Sequence, residues 1–139
     1  FGNLTMKIAV LISVLIAMVL CGIKVQVVVR GTLTCSEPFY YEMEMMEDEP
    51  WGQTPQRMAR MKSRRSNGTT GNYRISGFGS EFWPGDNEIE PKLYINHTCG
   101  QLKACVCKDL GDVGEDYETT VNINLSKPDW NSLKKCDEC

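Results

Sequence analysis

The sequence predicts an all-β sandwich of about seven short strands, stapled by disulfides, and three observations carry that prediction. The first is the run Glu90–Cys99, E-P-K-L-Y-I-N-H-T-C, in which Leu93, Ile95, His97 and Cys99 alternate with Tyr94, Asn96 and Thr98. A period of two marks a strand that buries one face. Asn96-His97-Thr98 is also an N-glycosylation sequon, and a glycan stands in solvent, so Asn96 marks the outer face and His97 and Cys99 point inward. The second is the recurrence of such runs between clusters of glycine, proline and asparagine. The third is the count of seven cysteines in 139 residues. Setting aside Cys21, which falls in an apolar leader, six remain, an even number that reads as a disulfide framework of an exported domain with fifteen possible connectivities.

Each element has its own local signal. Met6-Lys7 and the apolar run Ile8 to Leu20 have the basic start and short hydrophobic length of a secretory signal peptide, too short for the ~20 residues that span a bilayer. Residues 1–5 then read as translated sequence upstream of the start, 6–22 as the leader and 23–139 as one domain. Val25 to Cys35 is dense in β-branched residues and predicts the first strand, with Leu33 and Cys35 on one face. Pro38 ends it, and Tyr40 to Glu47 alternates again, Tyr41, Met43 and Met45 opposite Glu42 and Glu44.

Arg57 to Arg65 predicts a strand with Arg60, Lys62 and Arg64 on one face and Ala59, Met61 and Ser63 on the other. Ser66–Asn72, S-N-G-T-T-G-N, is the strongest turn, where Asn-Gly accepts positive φ and a hairpin reverses; Tyr73–Gly77 is a short strand after it. Lys103–Asp109 pairs with the Glu90–Cys99 strand, and Thr119 to Leu125 is a last strand with Thr119, Val121, Ile123 and Leu125 on one face. Asn67-Gly68-Thr69 and Asn124-Leu125-Ser126 add sequons, making Asn67, Asn96 and Asn124 the candidate glycosylation sites.

A net charge of −3 excludes a dedicated nucleic-acid binder, and 24% charged with 42% hydrophobic residues excludes a disordered tail. A chain of this length buries about 65 to 70% of its unfolded surface in one core. A single histidine leaves little for catalysis, and His97 with Cys99, Cys105 and Cys107 has the spacing H-x-C and C-x-C, which matches no common zinc pattern. A buried, hydrogen-bonded His97 is expected, with no cofactor, no metal and no enzymatic activity.

Taken together, these residues resemble the transthyretin-like family of secreted proteins. The resemblance rests on Val29-Arg30-Gly31-Thr32-Leu33-Thr34-Cys35, the Ser66-Asn67-Gly68 turn, Ile89 to Cys99, Cys105, Thr120 to Leu125 and a C-terminal cysteine. It implies a transthyretin-type, Ig-like Greek-key sandwich, an extracellular role and carriage of a lipid or small hydrophobic ligand. The family's usual four cysteines correspond here to Cys35, Cys99, Cys105 and Cys136, with Cys107 and Cys139 additional. With Cys105 and Cys107 too far apart along a strand to bond readily, this implies Cys35–Cys136, Cys99–Cys105 and Cys107–Cys139.

Two kinds of partner are expected. A lipid or hydrophobic molecule would meet Tyr40, Tyr41, Phe82 and Trp83. An extracellular protein or an anionic membrane would meet Arg57, Arg60, Lys62, Arg64 and Arg65, unless these bases are spent on cross-strand pairs with Glu42 and Glu44. The oligomeric state is not encoded in any of these features.

Overall fold

The computed structural model describes residues 6–13, 22–48, 54–81, 87–100 and 103–136. Residues 6–13 form an exposed helix, and no helix among the described residues is long and apolar enough to cross a membrane. The rest is built from strands β1 (Ile23–Thr34), β2 (Tyr40–Glu47), β3 (Gln56–Arg65), β4 (Thr70–Glu81), β5 (Pro91–His97), β6 (Ala104–Asp109), β7 (Tyr117–Thr120), β8 (Ile123–Asn124) and β9 (Lys134–Lys135). One sheet has the order β4-β1-β7, with β8 continuing β7 along β1; the other has the order β3-β2-β5-β6-β9. The connections β1–β2, β3–β4, β4–β5 and β6–β7 each cross from one sheet to the other, the sandwich the sequence predicts.

Alternation decides which faces meet. Val25, Val27, Val29 and Leu33 of β1, Met43 and Met45 of β2, and Leu93 and Ile95 of β5 are all at most 2% exposed and fill the space between the sheets with Phe39. In β5 every second residue is buried, from Pro91 to His97, while Lys92, Tyr94 and Asn96 face out. The Glu90–Cys99 run is therefore centred on a middle strand of the second sheet, flanked by β2 and β6.

The cysteine pairing differs from all three expected bridges. Cys35 bonds Cys99, with Cα atoms 5.8 Å apart, and Cys107 bonds Cys136, at 5.6 Å; Cys105 is disulfide-bonded too. The β5–β6 register explains why Cys99 does not reach Cys105. Asn96 lies opposite Cys105 and Tyr94 opposite Cys107, so both β6 cysteines share the outer face of Asn96, whereas Cys99 is buried on the inner side. Cys35, at the inner end of β1, faces Cys99 across the sandwich instead. Cys136 cannot serve Cys35 because it comes after β9, which runs beside β6, and its bond to Cys107 excludes the Cys107–Cys139 pair.

The predicted Thr119–Leu125 strand is broken, for a reason centred on Gly31. A Cβ there would collide with the Val121 carbonyl, which sits where a side chain would stand. That carbonyl accepts a 2.6 Å hydrogen bond from the Tyr73 hydroxyl, and Tyr73 is the β4 residue in register with Gly31. Asn122 completes the detour, its Oδ1 accepting from the Thr32 amide at 2.9 Å. Ile123 and Leu125 do point inward.

β4 is also longer than the predicted Tyr73–Gly77. Its glycines let the edge strands of the two sheets touch: a Cβ at Gly77 would lie 2.5 Å from the Met58 carbonyl oxygen. The Ser66–Asn72 turn forms as a two-residue reversal closed by Asn67 and Thr70, with Gly68 at φ 60°. It joins strands of different sheets rather than a hairpin within one.

Two outcomes test this account. Gly31→Ala should lower the urea midpoint by an amount equivalent to about 1–3 kcal/mol, because Val121 cannot move without breaking the Tyr73 bond; a neutral substitution would contradict it. Replacing Cys35 and Cys99 together by alanine should cost up to about 4 kcal/mol, the chain-entropy value for a closed loop of this length, measured against the intact protein by the same denaturation.

Candidate functional site: a basic rim between the two sheets

The basic strand β3 divides into two parts. Its register with β2 slips twice, between Met45 and Met46 and between Tyr41 and Met43. In the first part Arg60 reaches Glu44 at 3.1 Å and Glu42 at 3.6 Å, and Arg57 reaches Glu44 at 3.6 Å. These pairs satisfy the expectation that Glu42 and Glu44 take up nearby bases.

The second slip redirects the end of the strand. Lys62 and Ser63 together occupy the space opposite Glu42, so Arg64 comes into register with the inward Tyr41 and Arg65 with the outward Tyr40. Arg60, Lys62 and Arg64 therefore do not share one face, as strict alternation predicts. The Arg65 guanidinium lies 6.0 Å from the Tyr40 ring, at the limit of a cation–π contact.

Arg74 of β4, which no sequence pattern singles out, completes the group. Lys62, Arg64 and Arg74 line a 380 Å³ cleft together with the already paired Arg60 and with Ile75 and Ser76, where the edges of the two sheets meet. Arg74 also sits directly opposite Arg30 in the β1–β4 ladder, and among the described residues only Arg30 of the two is compensated, by Glu118 at 3.1 Å. Among the described residues no carboxylate lies within ion-pair distance of Lys62, Arg64, Arg65 or Arg74. Like charges gathered at an exposed edge without counter-ions produce a local positive field on a chain whose net charge is negative.

Of the expected aromatic ligand contacts, Tyr40 and Tyr41 both line a 270 Å³ cleft with Glu42, Ser63 and Asn96. Tyr40 is 53% exposed, but Tyr41 is a core residue at 4%, its hydroxyl donating to the Asn72 carbonyl at 2.8 Å. Burial pushes the Tyr41 phenol above its usual pKa, and the neighbouring Arg64 charge opposes that rise. Phe82 and Trp83 lie outside the described residues. Tyr94 and Met46 do line a 370 Å³ groove on the outer face of the second sheet, bordered by Glu42, Glu44, Arg60 and Asn96.

The three sequons all face outward. Asn67 and Asn124 are exposed, and the Asn96 amide is half-buried on the outer face, donating to Glu42 Oε1 at 3.1 Å. His97 is buried as expected, but only one of its nitrogens is satisfied. Nδ1 accepts from the Cys99 amide at 3.2 Å, while Nε2 has no partner among the described residues, and burial holds the imidazole pKa below its usual value.

A family model described as the transthyretin-like family matches residues 30–111, more than half of the chain. The chain belongs to the transthyretin-like family. The matched segment runs from the middle of β1 to just beyond β6, and so takes in the β3–β4 rim and the Cys35–Cys99 bridge. No curated protein and no solved structure matches the chain.

The state of His97 gives a pH prediction. Its folded pKa is depressed, so its contribution to stability is complete above the unfolded value near 6.5 and is lost as pH falls through the folded pKa. Urea midpoints should be level just above pH 6.5 and decline below it, in a window where no second histidine titrates. His97→Phe should flatten that decline, and an unchanged slope in the variant would assign it to other groups.

Proposed function

We propose that this transthyretin-like protein is a secreted, extracellular recognition module that docks on an anionic surface, of a membrane or an acidic protein, through the β3–β4 rim. The observation that carries this reading is the cleft in which Lys62, Arg64 and Arg74 join the paired Arg60, with Arg65 nearby; Lys62, Arg64, Arg65 and Arg74 lack carboxylate partners among the described residues. Three further features support it. The leader-like run from Met6 to Leu20 suits export, the oxidised cysteines suit an extracellular space, and all three sequons face outward.

Carriage of a hydrophobic ligand inside the sandwich has less support. Phe39, Leu33, Met43, Met45, Leu93 and Ile95 fill the space between the sheets, and Tyr41 is spent on Asn72. The reading is of a binder and not a catalyst, since the one histidine is buried with its Nδ1 committed to the backbone.

The rim gives a discriminating test. The folded, secreted protein should sediment with vesicles containing anionic lipid, or be retained on an acidic-protein column, and release as salt rises past ~0.15 M, where the screening length is about 8 Å. Reversing Lys62, Arg64 and Arg74 to glutamate should reduce binding at least tenfold. Reversing Arg57, which is paired with Glu44 and does not line the cleft, together with Arg30, which is paired with Glu118, should have a smaller effect. Equal losses from the two sets would mean that net charge and not the rim is responsible, and salt-insensitive binding would point to an apolar ligand.

A further inference from the structure

Three sulfur atoms meet on the outer face of β6. The Sγ atoms of Cys105, Cys107 and Cys136 all lie within 4.8 Å of one another. The strand register explains the convergence: Val106 pairs with Lys135 and Cys107 with Lys134, so the next position places Cys136 opposite Cys105. The Cys136 amide confirms that alignment by donating to the Cys105 carbonyl at 3.4 Å. Yet Cys136 is bonded to its diagonal neighbour, Cys107, at a Cα separation of 5.6 Å. Cys105 holds a bond of its own.

Cys136 thus has two partners within bonding reach, one directly across the ladder and one on the diagonal. Direct cross-strand and diagonal neighbours both fall close to the Cα range that a disulfide spans. No other cysteine among the described residues competes locally, because Cys35 and Cys99 are bonded to each other on the inner side of the sandwich.

We propose that Cys105, Cys107 and Cys136 form a thiol–disulfide exchange site, at which a small extracellular thiol moves the bond of Cys136 from Cys107 to Cys105. Two molecules of that thiol first reduce the bond of Cys105 and leave as their own disulfide, so Cys105 and its former partner each gain a hydrogen. The Cys105 thiolate then attacks Cys136 Sγ. The Cys136–Cys107 bond breaks, its electron pair leaves on Cys107 Sγ, and Cys107 takes up a proton. This second step needs no oxidant or reductant, since one disulfide is lost and one is formed.

The exchange changes the surface as well as the connectivity. Cys107 and Cys136 line a 400 Å³ cleft with Lys92, Tyr94 and Asp109, a cleft that Cys105 does not line. After exchange the tail remains fastened to β6, but a free thiol at Cys107 faces that cleft. Cys105 and Cys136 are half-buried, which leaves an incoming thiol a route to them.

The test uses the full secreted protein. The oxidised form is treated with limiting reduced glutathione, quenched in acid, alkylated and mapped without reduction, with fragmentation between Cys105 and Val106 to assign each sulfur. Among molecules that have lost one bridge, most should carry a Cys105–Cys136 bond with alkyl on Cys107, and Cys35–Cys99 should be intact. Alkyl on Cys105 with Cys107–Cys136 retained would overturn the proposal. Cys107→Ser provides an independent readout: Cys136 should be recovered bonded to Cys105, and recovery of Cys136 as an alkylated thiol would equally refute it.

Discussion

The bond between Cys35 and Cys99 is the constraint on which the rest of the arrangement depends. It joins the end of β1, the central strand of one sheet, to the end of β5, a central strand of the other. Each of those strands is paired along both edges, so fixing one end of each fixes the position of every strand that hangs from them. Polar contacts cluster around the bridge: Ser126 Oγ lies 3.6 Å from Cys99 Sγ and accepts from the Ser36 amide at 2.8 Å, and the Cys35 amide donates to the Thr69 carbonyl at 3.0 Å. Four separate stretches of chain are drawn together there. His97, whose Nε2 has no partner among the described residues, lies in β5 two residues before Cys99, and an unsatisfied buried donor of this kind costs about 1–3 kcal/mol. That cost is tolerated where the covalent link already restrains the backbone.

The sheet faces are legible in the sequence because alternation is a local property. From Tyr41 to Met45 and from Leu93 to Cys99, every residue assigned inward is buried in the fold, and the sequon at Asn96 marks the outer face correctly. The bridges are not legible by the same means, since pairing depends on register between strands and no single strand encodes it. The information is nonetheless close at hand. Once Asn96 faces out, a partner strand that sets Cys105 opposite Asn96 must also turn Cys105 outward, away from Cys99.

The other departures share a cause. The break after Thr120, the length of β4 and the slips in β3 all arise where backbone, not side chain, occupies the space: the Val121 carbonyl over Gly31, the Met58 carbonyl against Gly77, and the extra residues of β3 opposite β2. Hydrophobic patterning reports where side chains go, and glycine is silent in it. A glycine within a strand signals that something approaches closely, without saying what. Arg74 is silent in the sequence for a related reason: its importance comes from lying beside Lys62 and Arg64 of the opposite sheet, a neighbourhood created by the β3–β4 contact at Gly77.

Among the described residues, the same strand β3 holds paired and unpaired bases side by side. Were β3 regular throughout, alternation would place Arg60, Lys62 and Arg64 on the outer face above the acidic side of β2, and their charges would be absorbed by Glu42 and Glu44. The slip between Tyr41 and Met43 shifts the second half by one position, carrying Arg64 to the rim and leaving the two glutamates to Arg57 and Arg60. Exposed pairs of that kind contribute only about 0–1 kcal/mol each, so they hold the register weakly. Stability there comes instead from Met43, Met45 and Met61 beneath, all buried. The charges above are thereby released from a structural task, and the bulge that frees Arg64 also aligns it with Arg74 across the seam. A positive edge built this way costs the fold little, because its members remain in water.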